Sequence, residues 1–308
     1  MTNREEPHSY FARGSLLRQV HAERVVGLFY GSRALCVGAA NPLTYVATAI
    51  HSANLQAPFG RLARTAQMIE AIILGSREET DRLLARVSTV HKRVVGSLPV
   101  EAGRYPAGTR YSALDPELML WTLAVIADSA RYFFELFVHP LADRDKEMLW
   151  QDYLRLGELF GMPRATGPAT YRQFLEWWQV YIDNELCLID EAYHAGYDTA
   201  FRLPIPMYAS PVRRLYRVVV LGSLPCQVRH LYGLSYAAKD EARFLRATKV
   251  IRFSRSLSHG RIARGRNDLF FRWIAQTERL RIERDKPTPH FASPTQKGIH
   301  GRAVRGAS

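Results

Sequence analysis

The stretch ARVSTVHKRVVG, residues 85–96, decides how the chain is read, because its apolar period is helical rather than alternating. Leu83, Leu84, Val87, Val90, Val94 and Val95 recur at three- and four-residue intervals and predict one apolar helix face. His91 falls on that face, four residues after Val87 and four before Val95, while Lys92 and Arg93 point elsewhere. An imidazole aimed at its own core needs a partner there.

The same period extends along most of the chain. The segments 15–29, 42–54, 61–74, 78–96, 116–138, 144–160, 171–193, 211–232, 239–257 and 267–284 all favour helix over strand. Asn41-Pro42 and Asp115-Pro116 each place a capping residue before a proline at the first helical position. Thr170 and Gln173 have the spacing of a capping box. Gly75, Gly96 and Gly161 read as stops. The loop GSLPVEAGRYPAGTRYSALDP, 96–116, reads as a long cover or connection. The expectation is an all-α fold: an N-terminal extension over 1–14, one multi-helix domain over 15–284, and a basic, disordered tail over 285–308.

Composition narrows the class. With 308 residues, 47% hydrophobic and 23% charged, the chain can build a sizeable core. Cys36, Cys187 and Cys226 lie far apart without a Cys-x-x-Cys, which argues against a zinc site and a disulfide framework and for a cytoplasmic compartment. The start, MTNREEPHSYFARGS, is unlike a signal peptide, and apolar runs such as RVVVLGSLPC are too short to span a bilayer. The net charge of +13 is uneven: residues 251–308 hold 13 Lys/Arg against 4 Asp/Glu, leaving only +4 for the first 250 residues. The basic tail allows peripheral contact with a membrane surface. Aromatic and basic residues are not interleaved as in a nucleic-acid platform, so no nucleic acid is expected as a partner.

The helix before His91 carries a matching oddity. In FGRLARTAQMIEAIILGS, Arg61, Thr65, Met68 and Ile72 share one face by spacings of four, three and four. The short link at Gly75-Ser76 predicts an antiparallel hairpin that sets Arg61 and Thr65 level with His91. Two readings stand side by side. The three can line one pocket, or His91 can be a core histidine bonded to a carbonyl, with Arg61 and Arg64 snorkelling and Thr65 bonding its own backbone.

In order along the chain, GSRALCVGAANPLTYVATAIHS, GRLARTAQMIEAIILGS, RVSTVHKRVVG, YSALDPELMLWTLAVIADS, HPLADRDKEMLWQDYLRLGELFGMP and LGSLPCQVRHLYGL resemble the MpaB-type oxygenase family. That family shares its catalytic domain with the rubber-cleaving latex clearing proteins. The resemblance implies an all-α fold like the latex clearing protein core and a b-type haem between helices. It places His91 at the proximal iron ligand and Arg61 and Thr65 at the distal arginine and threonine. Arg64 stands where rubber-cleaving members have a lysine. A guanidinium stays protonated and cannot ligate iron, so Arg64 would instead bond a haem propionate or bound oxygen.

Those members also carry a carboxylate upstream. The stretch YVATAIHSANLQAPFG has none and offers His51, which can act as an acid–base group or as a helix C-terminal cap. Asn41-Pro42 replaces a frequent His-Pro, and Trp121-Thr122-Leu123 a Trp-x-His. These departures bear on substrate and reaction more than on fold. Asp128, on an apolar helix, is expected to pair with an arginine. The resemblance implies a haem b oxygenase that uses dioxygen on an apolar, lipid- or isoprenoid-like substrate. The alternatives are a haem- or lipid-binding protein that keeps the fold without catalysis, and an apo helical scaffold. Should His91 not hold iron, His51, His139, His194 and His230 are the other candidates.

Overall fold

A computed structural model of the chain describes residues 9–50, 57–201, 203–205, 209–284 and 301–303. The architecture is all-α. Its centre is α2 (Arg24–Gly38), which packs most extensively against α6 (Pro116–Phe137). The helices α1 (Leu16–Ala22), α4 (Pro58–Leu74), α9 (Asp190–Phe201) and α10 (Ser210–Ser223) also pack on α2. Val26, Phe29, Tyr30, Arg33, Ala34, Cys36 and Val37 are all buried, and only Gly31 of α2 is exposed, with Arg24, Leu28, Ser32 and Leu35 half-buried beside it.

One ion-pair group joins three of these helices. Arg33 Nη2 of α2 lies 2.7 Å from Asp128 Oδ2 of α6, with both side chains nearly inaccessible. The same guanidinium donates to Ser223 O of α10 at 2.8 Å and to Ser129 Oγ at 2.8 Å. Arg131 Nη2 donates to the other Asp128 oxygen at 2.8 Å. Burial by itself would raise the Asp128 carboxyl, but Arg33 and Arg131 outweigh it and hold the group below its ordinary value. Asp128 is therefore paired, as its sequence setting predicts.

The capping signals agree with the structure. Asn41 Oδ1 accepts from Thr44 N at the start of α3 (Pro42–Ile50), and Asp115 accepts from Glu117 N and Leu118 N. The Thr170–Gln173 capping box opens α8 (Tyr171–Asn184). Element boundaries differ in four places. Segment 15–29 is two helices, because at Glu23 the backbone turns to pair with 263–265: Arg24 N donates to Ala263 O and Gly265 N to Ala22 O. α2 then runs on to Gly38, beyond the expected Phe29. After α8 the chain is extended at β3 (Cys187–Ile189) before α9. Pro225 separates α10 from α11 (Cys226–Leu231).

The opening stretch also differs from its reading. Helix α5 (Arg77–His91) stops at His91, and Val95–Ser97 forms β1, antiparallel to β2 (Arg110–Ser112). Gly96 is thus a strand residue and not a helix stop. A Cβ there would sit 2.4 Å from Tyr111 Oη, so the hairpin needs glycine. The apolar face of α5 is thin: Thr80 and Val87 are its buried residues, while Val90 is 59% and Val95 54% exposed. Of the tail, only Gly301–Ala303 is described; it forms β4, paired with Cys187–Ile189, and there the chain is strand rather than coil. The remaining residues expected to be disordered, 285–300 and 304–308, lie outside the described residues.

Helix α13 (Asp268–Ile282) runs antiparallel along α4 and holds both its ends. Glu278 accepts from Phe59 N at 3.1 Å and from Gly60 N at 2.7 Å, capping the first turn of α4 from another helix. At the other end, Glu70 of α4 accepts from Asn267 N at 2.9 Å and Asn267 Nδ2 at 3.1 Å. Both carboxylates are buried.

His21 of α1 is buried beside Tyr30 and Tyr153. Its Nε2 lies 2.8 Å from Tyr153 Oη, and its Nδ1 has no hydrogen-bond partner. Burial pushes its pKa down to about 3.

Two stability predictions follow from these groups. Asp128→Ala strands the Arg33 guanidinium in the core, and urea denaturation should show a loss of about 3–5 kcal/mol. The double variant Arg33→Met/Asp128→Leu should recover most of it, the coupling being read from the cycle. His21 is neutral in the fold, while in the unfolded chain it takes a proton below about pH 6.5. Its contribution is therefore full above that pH and declines as pH falls toward 3, by at most about 1.4 kcal/mol per pH unit. His21→Gln should flatten the fall in stability between about pH 6 and about pH 4; an unchanged slope would show that other groups set it.

Candidate functional site

The site is built on the α4–α5 hairpin. Pro58 occupies the first turn of α4, and Arg61 follows the two amides held by Glu278, so its backbone position is fixed from both sides. Arg61 is half-buried. Burial lowers its pKa most, the neighbouring Tyr45 of α3 opposes that, and Arg64 adds to it. Arg64 and Thr65 are exposed, Met68 is half-buried, and Ile69 and Ile72 are buried. The stripe from Arg61 to Ile72 is therefore most exposed at Thr65 and passes into the core from Met68 to Ile72.

His91 is the last residue of α5 and is half-buried. The C-terminal end of a helix dipole favours an imidazolium. Burial acts in the opposite sense and prevails, so the pKa lies below 6.5. Among the described residues, neither ring nitrogen of His91 has a hydrogen-bond partner. The reading of His91 as a core histidine bonded to a carbonyl does not match this placement. A neutral imidazole with both nitrogens available is a ligand form.

No hydrogen bond or ion pair joins His91 to Arg61, Arg64 or Thr65 among the described residues. His51 lies outside the described residues, as does the side chain of His194. His139 is exposed, with Nδ1 2.9 Å from Pro140 O, and His230 sits in the last turn of α11. Open cavities among the described residues include one of about 560 Å³ between α10 and α13 and one of about 460 Å³ on the β1–β2 hairpin just past His91. Neither is lined by His91, Arg61 or Thr65. Among the described residues no three His, Cys, Asp or Glu side chains gather as a metal-binding group. A haem iron can be held by one histidine, and the ring nitrogens of His91, without hydrogen-bond partners among the described residues, are compatible with such a ligand.

Sequence reasoning missed Tyr45, which faces Arg61 electrostatically, and Glu278, which sets the start of α4. Neither had a signal to find it by, since both depend on a packing partner distant in the chain.

The chain matches the family model described as the ER-bound oxygenase mpaB/B'/rubber oxygenase catalytic domain over residues 18–253, and it belongs to that family. It is 27% identical over 207 residues to an uncharacterised protein of Mycobacterium bovis, covering 64% of this chain and 74% of that one. An uncharacterised protein of Mycobacterium tuberculosis gives the same identity and coverage. No solved structure matches. Among the described residues no helix is long and apolar enough to cross a membrane.

Proposed function

We propose that this oxygenase-family chain is a haem b-dependent enzyme that oxidises an apolar, lipid- or isoprenoid-like substrate with dioxygen. The observation that carries the reading is His91: half-buried, held neutral by burial, and without a hydrogen bond on either ring nitrogen. An imidazole so placed has both ring nitrogens free, one to coordinate iron and the other to take an outer partner.

In this reading His91 holds the iron. Arg61 and Arg64, three residues apart on α4, supply the cations for the haem carboxylates. Thr65 offers a hydroxyl donor on the same helix, and His51 is the acid–base group on sequence grounds alone. When bound, the haem supplies the activation of dioxygen, and the protein supplies its orientation and surroundings. The substrate class rests on the family and on the aliphatic character of α4 and its neighbours.

His91→Ala is a clean test because the side chain makes no hydrogen bond; its cost to folding should be ~1 kcal/mol or less. Protein produced with ample haem should show a Soret band that this variant loses at unchanged helix content, and added imidazole should partly restore it. A variant with the wild-type spectrum would remove His91 from the site. Because burial lowers the His91 pKa, haem retention should persist further into acid than an ordinary histidine would allow; release centred at the ordinary value of about 6.5 would contradict that setting. Thr65→Val should alter the spectrum of the ferrous–CO complex with haem retained. His51→Ala should keep the Soret band and lose oxygen uptake with alkene substrates. A wild-type Soret band with no oxygen uptake would instead identify a haem-binding protein without catalysis.

A further inference from the structure

The second half of α12 (Ala238–Leu257) touches the body on one side only, through Ile251 and Arg255. The helix buries Phe244, Ala247 and Thr248, and from Lys249 to Leu257 no residue is buried. On this free half Val250, Phe253 and Leu257 recur at three and four residues, so they form one stripe. They are 60%, 66% and 65% exposed. The turn that follows adds Ile262 at 76%. That turn is pinned: Gly260 takes a φ of +54°, Ile262 N donates to His259 O at 3.2 Å, and the next residue, Ala263, is buried with its carbonyl on Arg24 N. Single exposed apolar side chains are ordinary, but a continuous run of large ones marks a contact surface.

The charges around the stripe are of one sign. Between 249 and 266 the sequence holds Lys249, Arg252, Arg255, Arg261, Arg264 and Arg266 and no Asp or Glu. Arg255 and Arg264 are committed to the buried Glu23, at 2.7 and 2.8 Å, and Arg266 to Glu79 and Asp268, both at 3.4 Å. These pairs fasten the turn to the body. Lys249, Arg252 and Arg261 are exposed and have no acidic partner among the described residues. An apolar stripe flanked by unpaired cations on a helix is the pattern of a segment lying in the plane of a lipid interface.

We propose that the free end of α12 and the turn at Ile262 form a docking surface for a membrane rich in anionic lipid. Val250, Phe253, Leu257 and Ile262 enter the boundary between headgroups and chains, and Lys249, Arg252 and Arg261 meet the phosphates. The complementarity is of charge as well as polarity. A second copy of the chain packed face to face would oppose the same unpaired cations, which disfavours it as the occupant. The surface is separate from the residues of the haem reading and does not depend on it.

Co-sedimentation of the full-length protein with vesicles tests the proposal. Binding is expected to phosphatidylcholine vesicles containing phosphatidylglycerol, not to phosphatidylcholine alone, and should weaken as salt is raised. Phe253→Ser/Leu257→Ser alters exposed positions, so helix content should hold while partitioning falls about tenfold or more. Arg252→Gln/Arg261→Gln should lower it by about fivefold per charge removed. No binding to the anionic vesicles, or full binding by the serine variant, would overturn the proposal. Binding that persists in both variants and disappears on removal of residues 285–308 would assign it to the tail instead. A dimer in light scattering that the serine variant abolishes would make a second copy the occupant.

Discussion

The guanidinium of Arg33 sets the terms for the rest of the fold. It is buried in the central helix, and its donors reach Asp128 and Ser129 on α6 and the end of α10 at Ser223. Aliphatic packing alone would let α2 rotate among its many neighbours at modest cost. A buried charge with three placed acceptors permits one rotation, because any other leaves the cation unpaired in a low-dielectric interior. The stacked rings of Phe29, Phe133, Phe137 and Tyr216 then fill the adjoining space in one arrangement.

Much of this was legible in the residues. Helix starts at Asn41, Asp115 and Thr170 were readable because caps are local chemistry. The second half of α2 was not, for a physical reason: a helix buried over most of its circumference, with small residues such as Gly31 and Ser32 on the remainder, has little amphipathic period. The period around His91 misled in the opposite way. Val94 and Val95 continue the helical spacing, yet the chain has already left the helix for a strand whose partner, Arg110–Ser112, lies beyond a long loop. The carboxylates that join α4 and α13 were invisible, since a glutamate in a helix ordinarily reads as a solvated position.

The candidate site shows the same division. That His91 differs from an ordinary core histidine was visible as a question in the sequence, and the resemblance attached a role to it. Its surroundings were not visible. α5 proves to be a lightly buried helix, and His91 at its end is half-buried, with its pKa lowered by burial.

The match to the oxygenase family model ends at residue 253, but the groups that hold the first turn of α4 and its Glu70 lie at Glu278 and Asn267. The matched region and the unit that folds therefore have different boundaries. A chain trimmed to the shared region would leave two amides at the start of α4 and a core carboxylate without partners, each costing about 1–3 kcal/mol. Together these are comparable with the whole stability of an average domain. Any excision, fusion or shuffling of this segment has to carry α13 as well, because the helix bearing Arg61 is completed by residues beyond the matched region.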